Sequence, residues 1–203
     1  MTGPTGTSLH HPKEIAMTTQ ISTAAAAAAF LSKKRIAVTG VSRNPQGHGG
    51  NVVYRRLRQR GYEVFPVNPS AATVDGEVCY PNLRSIPGGV DAVVIATRPD
   101  AADGTLRECV DLGIQHAWMH RSIGPGSVSV EAAAFGTDHG INVIAGGCPL
   151  MYDPAADAGH KVMRFVCSLA GTVPRRVAST DDCITSPDRA LAGPRGRAST
   201  EMS

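Results

Sequence analysis

Three glycines gathered ahead of a helix make the clearest chemical statement in this chain. The stretch from Lys34 to Gly50 reads KRIAVTGVSRNPQGHGG. An apolar run, Ile36-Ala37-Val38, leads into Gly40, Val41, Ser42, Arg43 and Asn44. A turn signal at Asn44-Pro45 precedes Gly47-His48-Gly49-Gly50, and Val52, Val53, Tyr54 and Leu57 then recur at helical spacing. Strand, glycine-rich loop and helix, in that order, form an anion site. Glycine lets backbone approach the anion, and a helix start aims N–H groups at it that have no partner within the helix. The helix end contributes about 0.3–1 kcal/mol per anionic group. The chemistry indicated is phosphate binding of the nucleotide type; the plainer alternative is a tight corner between strand and helix. His48, at the expected helix start, is a candidate phosphate contact.

Other residue types with chemical potential are scattered. His120-Arg121 and Cys148-Pro149 each follow a short apolar run, and Arg98 follows another. Cys148 could meet a ligand thiol, or it could be a small buried residue chosen for packing. Arg55, Arg56, Arg58 and Arg60 resemble a nucleic-acid patch at first sight, but such a run is more often the solvated face of a helix. No carboxylate pair, Ser-His-Asp set or metal-ligating cluster can be placed in one site. Catalytic residues and metal ligands are therefore not assigned.

The elements that must position these residues alternate regularly. Strands are expected at Arg35–Val41, Tyr62–Val67, Asp91–Ala96, His116–Met119 and Asn142–Ala145. Helices are expected at about His48–Arg60, Ala101–Leu112, Val128–His139 (capped by Ser127) and Ala156–Leu169. Alternation of this kind predicts an α/β fold, a Rossmann-like doubly wound parallel five-stranded sheet. Ligands of such sheets sit beyond the carboxyl ends of the strands. That rule selects the loops Gly40–Gly50, Asn68–Tyr80, Thr97–Pro99, His120–Pro125 and Gly146–Tyr152. Asn68, Pro69, Tyr80, Thr97, Arg98, Pro99, His120, Arg121 and Cys148 thereby join Gly40–Asn44 and His48–Gly50 as candidate ligand-binding residues.

Outside the domain, taken as residues 18–174, residues 1–17 and 175–203 lack periodicity and are expected to be disordered. The alanine-rich stretch Thr18–Ser32 is expected to be helical throughout. Net charge is +3 and aromatics make up 4% of 203 residues, so a nucleic-acid surface is not indicated. No apolar run approaches the roughly 20 residues that span a bilayer. Five widely spaced cysteines without a CxxC pair fit free thiols in a reducing, cytoplasmic setting.

The loop also discriminates among nucleotides. A dinucleotide fingerprint reads G-x-G-x-x-G, with an acid closing the second strand to bind the ribose hydroxyls. Here Ser42 replaces the second glycine and Val67-Asn68-Pro69 closes the strand. NAD is disfavoured; NADP and coenzyme A, each with a ribose phosphate, both qualify.

Beyond this the pattern becomes specific. IAVTGVSRNP with GHGGNVVYRRL, then GYEVFPVNP, GEVCYPNLRSIP, VDAVVIATRP, GIQHAWMH and GINVIAGGCPLMY resembles the coenzyme A-binding domain family. These are small single-domain relatives of the N-terminal domain of the succinyl-CoA synthetase alpha subunit. The resemblance covers about Lys33 to Tyr152. It implies a Rossmann-like fold binding coenzyme A or an acyl-CoA. The glycine loop would take the phosphates, the end of the second strand the adenosine part, and the later loops would flank the pantetheine arm. His120-Arg121-Ser122-Ile123-Gly124 departs from the family's Leu-Gly run. The synthetase's phosphorylated histidine belongs to a second domain that is not matched here, so the resemblance implies binding and not the ligase reaction. An NADP-dependent oxidoreductase and a ligase component with a partner chain stand as alternatives. A homo-oligomer or a partner ligase subunit is left open. Valine at Gly49 or Gly50 is expected to weaken binding more than stability.

Overall fold

The computed structural model describes residues 19–44, 49–121, 126–156, 158–169, 171 and 173–179. Fifteen elements follow in order: β1 (Thr19–Ser22), α1 (Thr23–Leu31), β2 (Arg35–Thr39), α2 (Gly49–Gln59), β3 (Glu63–Val67), β4 (Thr73–Val74), β5 (Glu77–Val78), β6 (Ala92–Ile95), α3 (Pro99–Asp111), β7 (His116–Met119), α4 (Val130–Asp138), β8 (Asn142–Ala145), a 3₁₀ turn (Pro149–Met151), α5 (Ala158–Leu169) and β9 (Arg176–Ser179). The main sheet has the order β3-β2-β6-β7-β8 and every pair in it is parallel. The five expected core strands and the doubly wound α/β class are therefore present.

Alternation along the strands divides the core into two clusters, because successive side chains point to opposite faces. Ile36, Val38, Val94, Trp118 and Ile144 join α1 and α2 on one face. Ala37, Val93, Ile95, Ala117, Met119 and Val143 join α3 and α4 on the other. Both faces are covered, which is why these strands read as unbroken apolar runs. Each large side chain fully buried here contributes on the order of 1.5–3 kcal/mol. Alanine at positions 26 and 27 lets α1 lie close, while Phe30 meets Trp118 edge-on at 5.4 Å. Trp118 in turn packs on Tyr152 and donates its indole N–H to the Gly146 carbonyl at 3.0 Å, fixing the loop that carries Cys148.

Three expectations change. Thr18–Ser32 is not helical throughout: Thr19–Ser22 is a strand, and Ser22 caps α1 by accepting from the Ala25 amide. The segment expected to be a disordered tail from residue 175 begins with β9, which pairs antiparallel with β1 from Thr19↔Ser179 to Ser22↔Arg176. Val177 is buried in the core, and the Thr23 hydroxyl donates to the Pro174 carbonyl at 2.6 Å, so the two ends of the domain are tied together. Residues 1–17 and 180–203 lie outside the described residues. Finally, the cap of α4 is Ser129, not Ser127; Ser127 is buried and its amide bonds the His120 carbonyl.

The loop after β3 contains a small hairpin, β4–β5, turning at Asp75-Gly76. Both turn residues have positive φ, the type I′ geometry that matches strand twist. Arg55 and Arg58 of α2 reach this hairpin, pairing with Asp75 at 2.6 Å and Glu77 at 2.6 Å. The basic face of α2 is thus partly neutralised within the domain. No described helix is long and apolar enough to cross a membrane.

Candidate functional site

The chain leaves β2 toward one side of the sheet to form β3 and crosses to the other side to form β6. The carboxyl ends of β2 and β6 therefore flank a topological switch point, where a crevice must open. A cavity of about 370 Å³ lies there. Its walls include Thr39 and Gly40 from β2's end, Asn68 from β3's end, Thr97 from β6's end, and Glu108 from α3. Gly40 has φ +72°, and a Cβ on it would come 2.3 Å from the Ala96 carbonyl oxygen, so only glycine fits where the two strand ends meet.

The Thr39 and Thr97 hydroxyls are buried and have no hydrogen-bond partner in the structure. Leaving a buried hydroxyl unsatisfied costs about 1–3 kcal/mol, so two beside one cavity single it out as the candidate site. Glu108 belongs to the same wall, with its Oε1 accepting from the Arg84 amide at 2.9 Å. A carboxylate there opposes phosphate and suits a hydrogen-bond donor such as an amino group or hydroxyl.

The glycine loop is held by side chains that occupy its polar groups. Asn51, fully buried in the first turn of α2, accepts from the Ser42 amide at 2.8 Å and donates to the Ser42 carbonyl at 2.8 Å. Asn68 donates to the Val41 carbonyl at 2.7 Å and accepts from the Ser70 amide at 2.8 Å. Ser42 Oγ accepts from the Asn44 amide at 3.1 Å. The α2 amides at Gly49, Gly50 and Asn51 lack intrahelical acceptors by geometry, and no acid stands in that turn. An anion is accommodated there without a like charge.

A second, smaller cavity of about 180 Å³ lies on the opposite face of the same sheet edge, between α2 and α5. Gly49, His120, Cys148, His160 and Met163 line it together with Val52 and Val53. His120 is fixed by its backbone, its N–H bonding the Ile95 carbonyl at 2.8 Å. Burial, with the neighbouring His160 adding to it, pushes its pKa down to about 4, so the ring is neutral at physiological pH. A Cβ on Gly49 would come 2.8 Å from the His120 ring, and one on Gly50 would come 3.1 Å from both Ala96 Cβ and the Gly40 oxygen. Valine at Gly50 therefore strikes the fold itself, which alters the expectation that binding would weaken more than stability.

The residues selected from the sequence are divided between several places. Gly40, Asn68, Pro69 and Thr97 line the larger cavity; Gly49, His120 and Cys148 line the smaller. Val41 is buried in the core, and Tyr80 packs on Phe65 at 5.9 Å while its backbone bridges to β3. Arg43 and Asn44 are exposed on the loop. Arg98 precedes Pro99, the first residue of α3, and pairs with Asp100 at 3.3 Å while remaining 85% exposed. The Arg121 amide bonds the Gly147 carbonyl at 2.9 Å. His48 lies outside the described residues. Thr39, Asn51, Asn82 and Glu108 were not singled out from the sequence. Thr39 was passed over because the strand was expected to run to Val41, whereas it ends at Thr39. Asn51 and Glu108 carry no signal apart from their place in the fold. Cys79, Cys109, Cys148 and Cys167 are all buried cysteines outside any disulfide. Burial raises Cys109 to about 12, which leaves it inert.

A parallel sheet with a glycine-bounded crevice at its switch point defines a Rossmann-like nucleotide-binding domain. The chain belongs to the CoA binding domain family, whose pattern matches residues 34–154. It is 36% identical over 86 residues to the ADP-forming acetate–CoA ligase II of Archaeoglobus fulgidus, an overlap of 41% of this chain and 13% of that ligase. It is 30% identical to the uncharacterized protein YneT of Bacillus subtilis, over 57% of this chain and 82% of that one. Among solved structures it is similar to a hypothetical protein from Pyrococcus horikoshii, with a TM-score of 0.56 and 26% identity over 62% of this chain and 84% of that one. Family membership settles the choice between NADP and coenzyme A, which the strand-end asparagine left open, in favour of coenzyme A. The unpartnered threonine hydroxyls beside the crevice and the acid-free helix start fit that ligand's mixture of hydroxyl, amino and phosphate groups.

Proposed function

We propose that this chain binds coenzyme A or an acyl-CoA along the carboxyl edge of its sheet. Pro69, Pro81, Val67 and Ala101 offer the larger cavity a mostly apolar lining for the adenine, with Glu108 able to accept from its amino group. The α2 start and the pinned loop Gly40–Asn44 face the phosphates. Asn68 is assigned to hold the loop and shape the cavity rather than to carry the ribose by charge. The single observation that carries this reading is the pair of buried, unpartnered hydroxyls on two threonines that line one crevice at the switch point.

The experiment is mass spectrometry of ligand released from protein purified without added nucleotide, joined to thermal melts with coenzyme A, NADP and NAD. A ligand that binds only the folded state raises its melting temperature, by about 2.7 kcal/mol of stabilisation at a hundredfold excess over Kd. Coenzyme A should shift the transition most; a shift by NAD or NADP without one by coenzyme A would overturn the reading.

A ligase component is a second reading, supported by the similarity to the A. fulgidus acetate–CoA ligase. The chain spans 13% of that relative, so the reaction would need protein outside the matched segment. Co-purification of a partner chain would test it. Four buried thiols are consistent with a reducing, cytoplasmic setting.

A further inference from the structure

Gly40, Gly50 and Ala96 stand between the larger cavity and the smaller. Gly40 lines one, Gly49 lines the other, and Gly50 between them packs against the Gly40 oxygen. A ligand whose nucleotide occupies the α3 face and whose arm crosses these glycines arrives at His120 and Cys148. We propose that the smaller cavity receives the acyl end of a coenzyme A thioester, and that the acyl group it selects is apolar and uncharged. This rests on the coenzyme A reading above.

Size, lining and charge all bear on the class of acyl group. A cavity of about 150 Å³ holds benzene, so about 180 Å³ admits a branched or aromatic acyl group of roughly five to seven carbons. Val52, Val53 and Met163 present carbon and sulfur, and Cys148 is a buried thiol. The titratable groups facing the space are His120, His160 and Cys148, and His120 is neutral at physiological pH. The cations of α5 are engaged elsewhere: Lys161 pairs with Asp153 at 3.1 Å, and Arg164 lies over the Tyr152 ring at 5.2 Å. A terminal carboxylate such as that of a succinyl group would enter this space without a lysine or arginine among the described residues that line it and would lose hydration there.

Calorimetric titration of the full chain with coenzyme A, isovaleryl-CoA, benzoyl-CoA and succinyl-CoA tests the proposal. Isovaleryl-CoA or benzoyl-CoA should bind about tenfold tighter than coenzyme A, a difference of about 1.4 kcal/mol, and succinyl-CoA no tighter than coenzyme A. Met163→Trp fills the cavity from α5 and should abolish the acyl preference while leaving coenzyme A affinity within about twofold. Val52→Phe, at a 45% exposed position on the rim, repeats the test should the first variant misfold. If coenzyme A binds and the four ligands bind alike, or succinyl-CoA binds tightest, the acyl assignment fails while the coenzyme A reading stands. If the preference survives both variants, the cavity is wrongly assigned. If none of the four binds, the coenzyme A reading fails as well.

Discussion

Asn51 is the residue on which the glycine loop's shape depends, and its removal has a calculable cost. In Asn51→Ala the Ser42 amide and carbonyl lose their partners together. Hydrogen bonds of this kind contribute about 0.5–1.5 kcal/mol each, so stability should fall by roughly 1–3 kcal/mol. For a chain of this size, a 2 kcal/mol loss lowers the melting temperature by about 4–8 °C. Binding should suffer separately. A loop no longer pinned must be ordered by the ligand, and fixing one residue's backbone costs about 1–2 kcal/mol, equivalent to about 5–30-fold in affinity. Asn51→Asp separates the two effects. It keeps the acceptor for the Ser42 amide but turns a carboxylate oxygen toward the Ser42 carbonyl and places negative charge at the helix start. Its affinity for coenzyme A should therefore fall further than that of Asn51→Ala. It should recover partly as pH falls and the acid gains a proton to donate. Melts and calorimetric titration of both variants provide the readout. An Asn51→Ala protein that melts lower but binds coenzyme A within twofold of the parent would refute the claim that loop order sets affinity.

Two further outcomes follow from the same geometry. His120 has its pKa lowered to about 4 from the ordinary 6.5, so the unfolded chain takes up its proton first on acidification. Stability should be intact above about pH 6.5 and decline through the window down to about pH 4, by on the order of 3 kcal/mol; His120→Gln should flatten that slope in melts from pH 4.5 to 7, and an unchanged slope would show that other groups cause it. Gly40→Ala should abolish folding or nearly so, since its Cβ meets the Ala96 carbonyl, whereas Gly61→Ala, with φ +82° and open space around it, should cost only about 1–2 kcal/mol; similar melts for the two would contradict the close approach of β2 and β6.

The core of the fold was legible because its signals are long-range averages. Asp91–Ala96 and His116–Met119 read as strands since both faces are covered, and Ala102, Leu106 and Cys109 recur at the spacing of one buried helix face. Short strands outside the alternation of core strands and helices carry no such average. β1 and β9 are recognisable only as each other's partners, because the pairing that makes them strands joins positions near residues 20 and 178. The alanine run shared the same difficulty. Propensity marked Thr18–Ser32 as helical, yet the capping geometry of Ser22 and the pairing of Thr19–Ser22 set the true start. The site was legible as a set of loops and not as a set of contacts. The carboxyl-end rule found Thr97 and Asn68, but whether a polar side chain faces the ligand or its own backbone depends on a few tenths of an ångström in the surrounding loop.

That distinction shapes how the domain meets an anionic ligand. Three of the candidate ligand residues, Ser42, Asn68 and Tyr80, hold loop backbone or extend β3. The arginines that looked available are partly occupied: Arg55 and Arg58 by the β4–β5 hairpin, Arg98 by Asp100. A domain arranged in this way presents the groups between these fixtures: the first-turn amides of α2 and the hydroxyls of Thr39 and Thr97. Amides held by a helix and hydroxyls held by strand ends do not need to be ordered when the ligand arrives, whereas a long cationic side chain does, at a cost of up to about 2 kcal/mol. Recognition of a phosphate ester through fixed dipoles therefore depends on loop geometry more than on the count of positive charges. This is why the buried Asn51, which touches no ligand in this scheme, should affect affinity more than removal of the exposed Arg98.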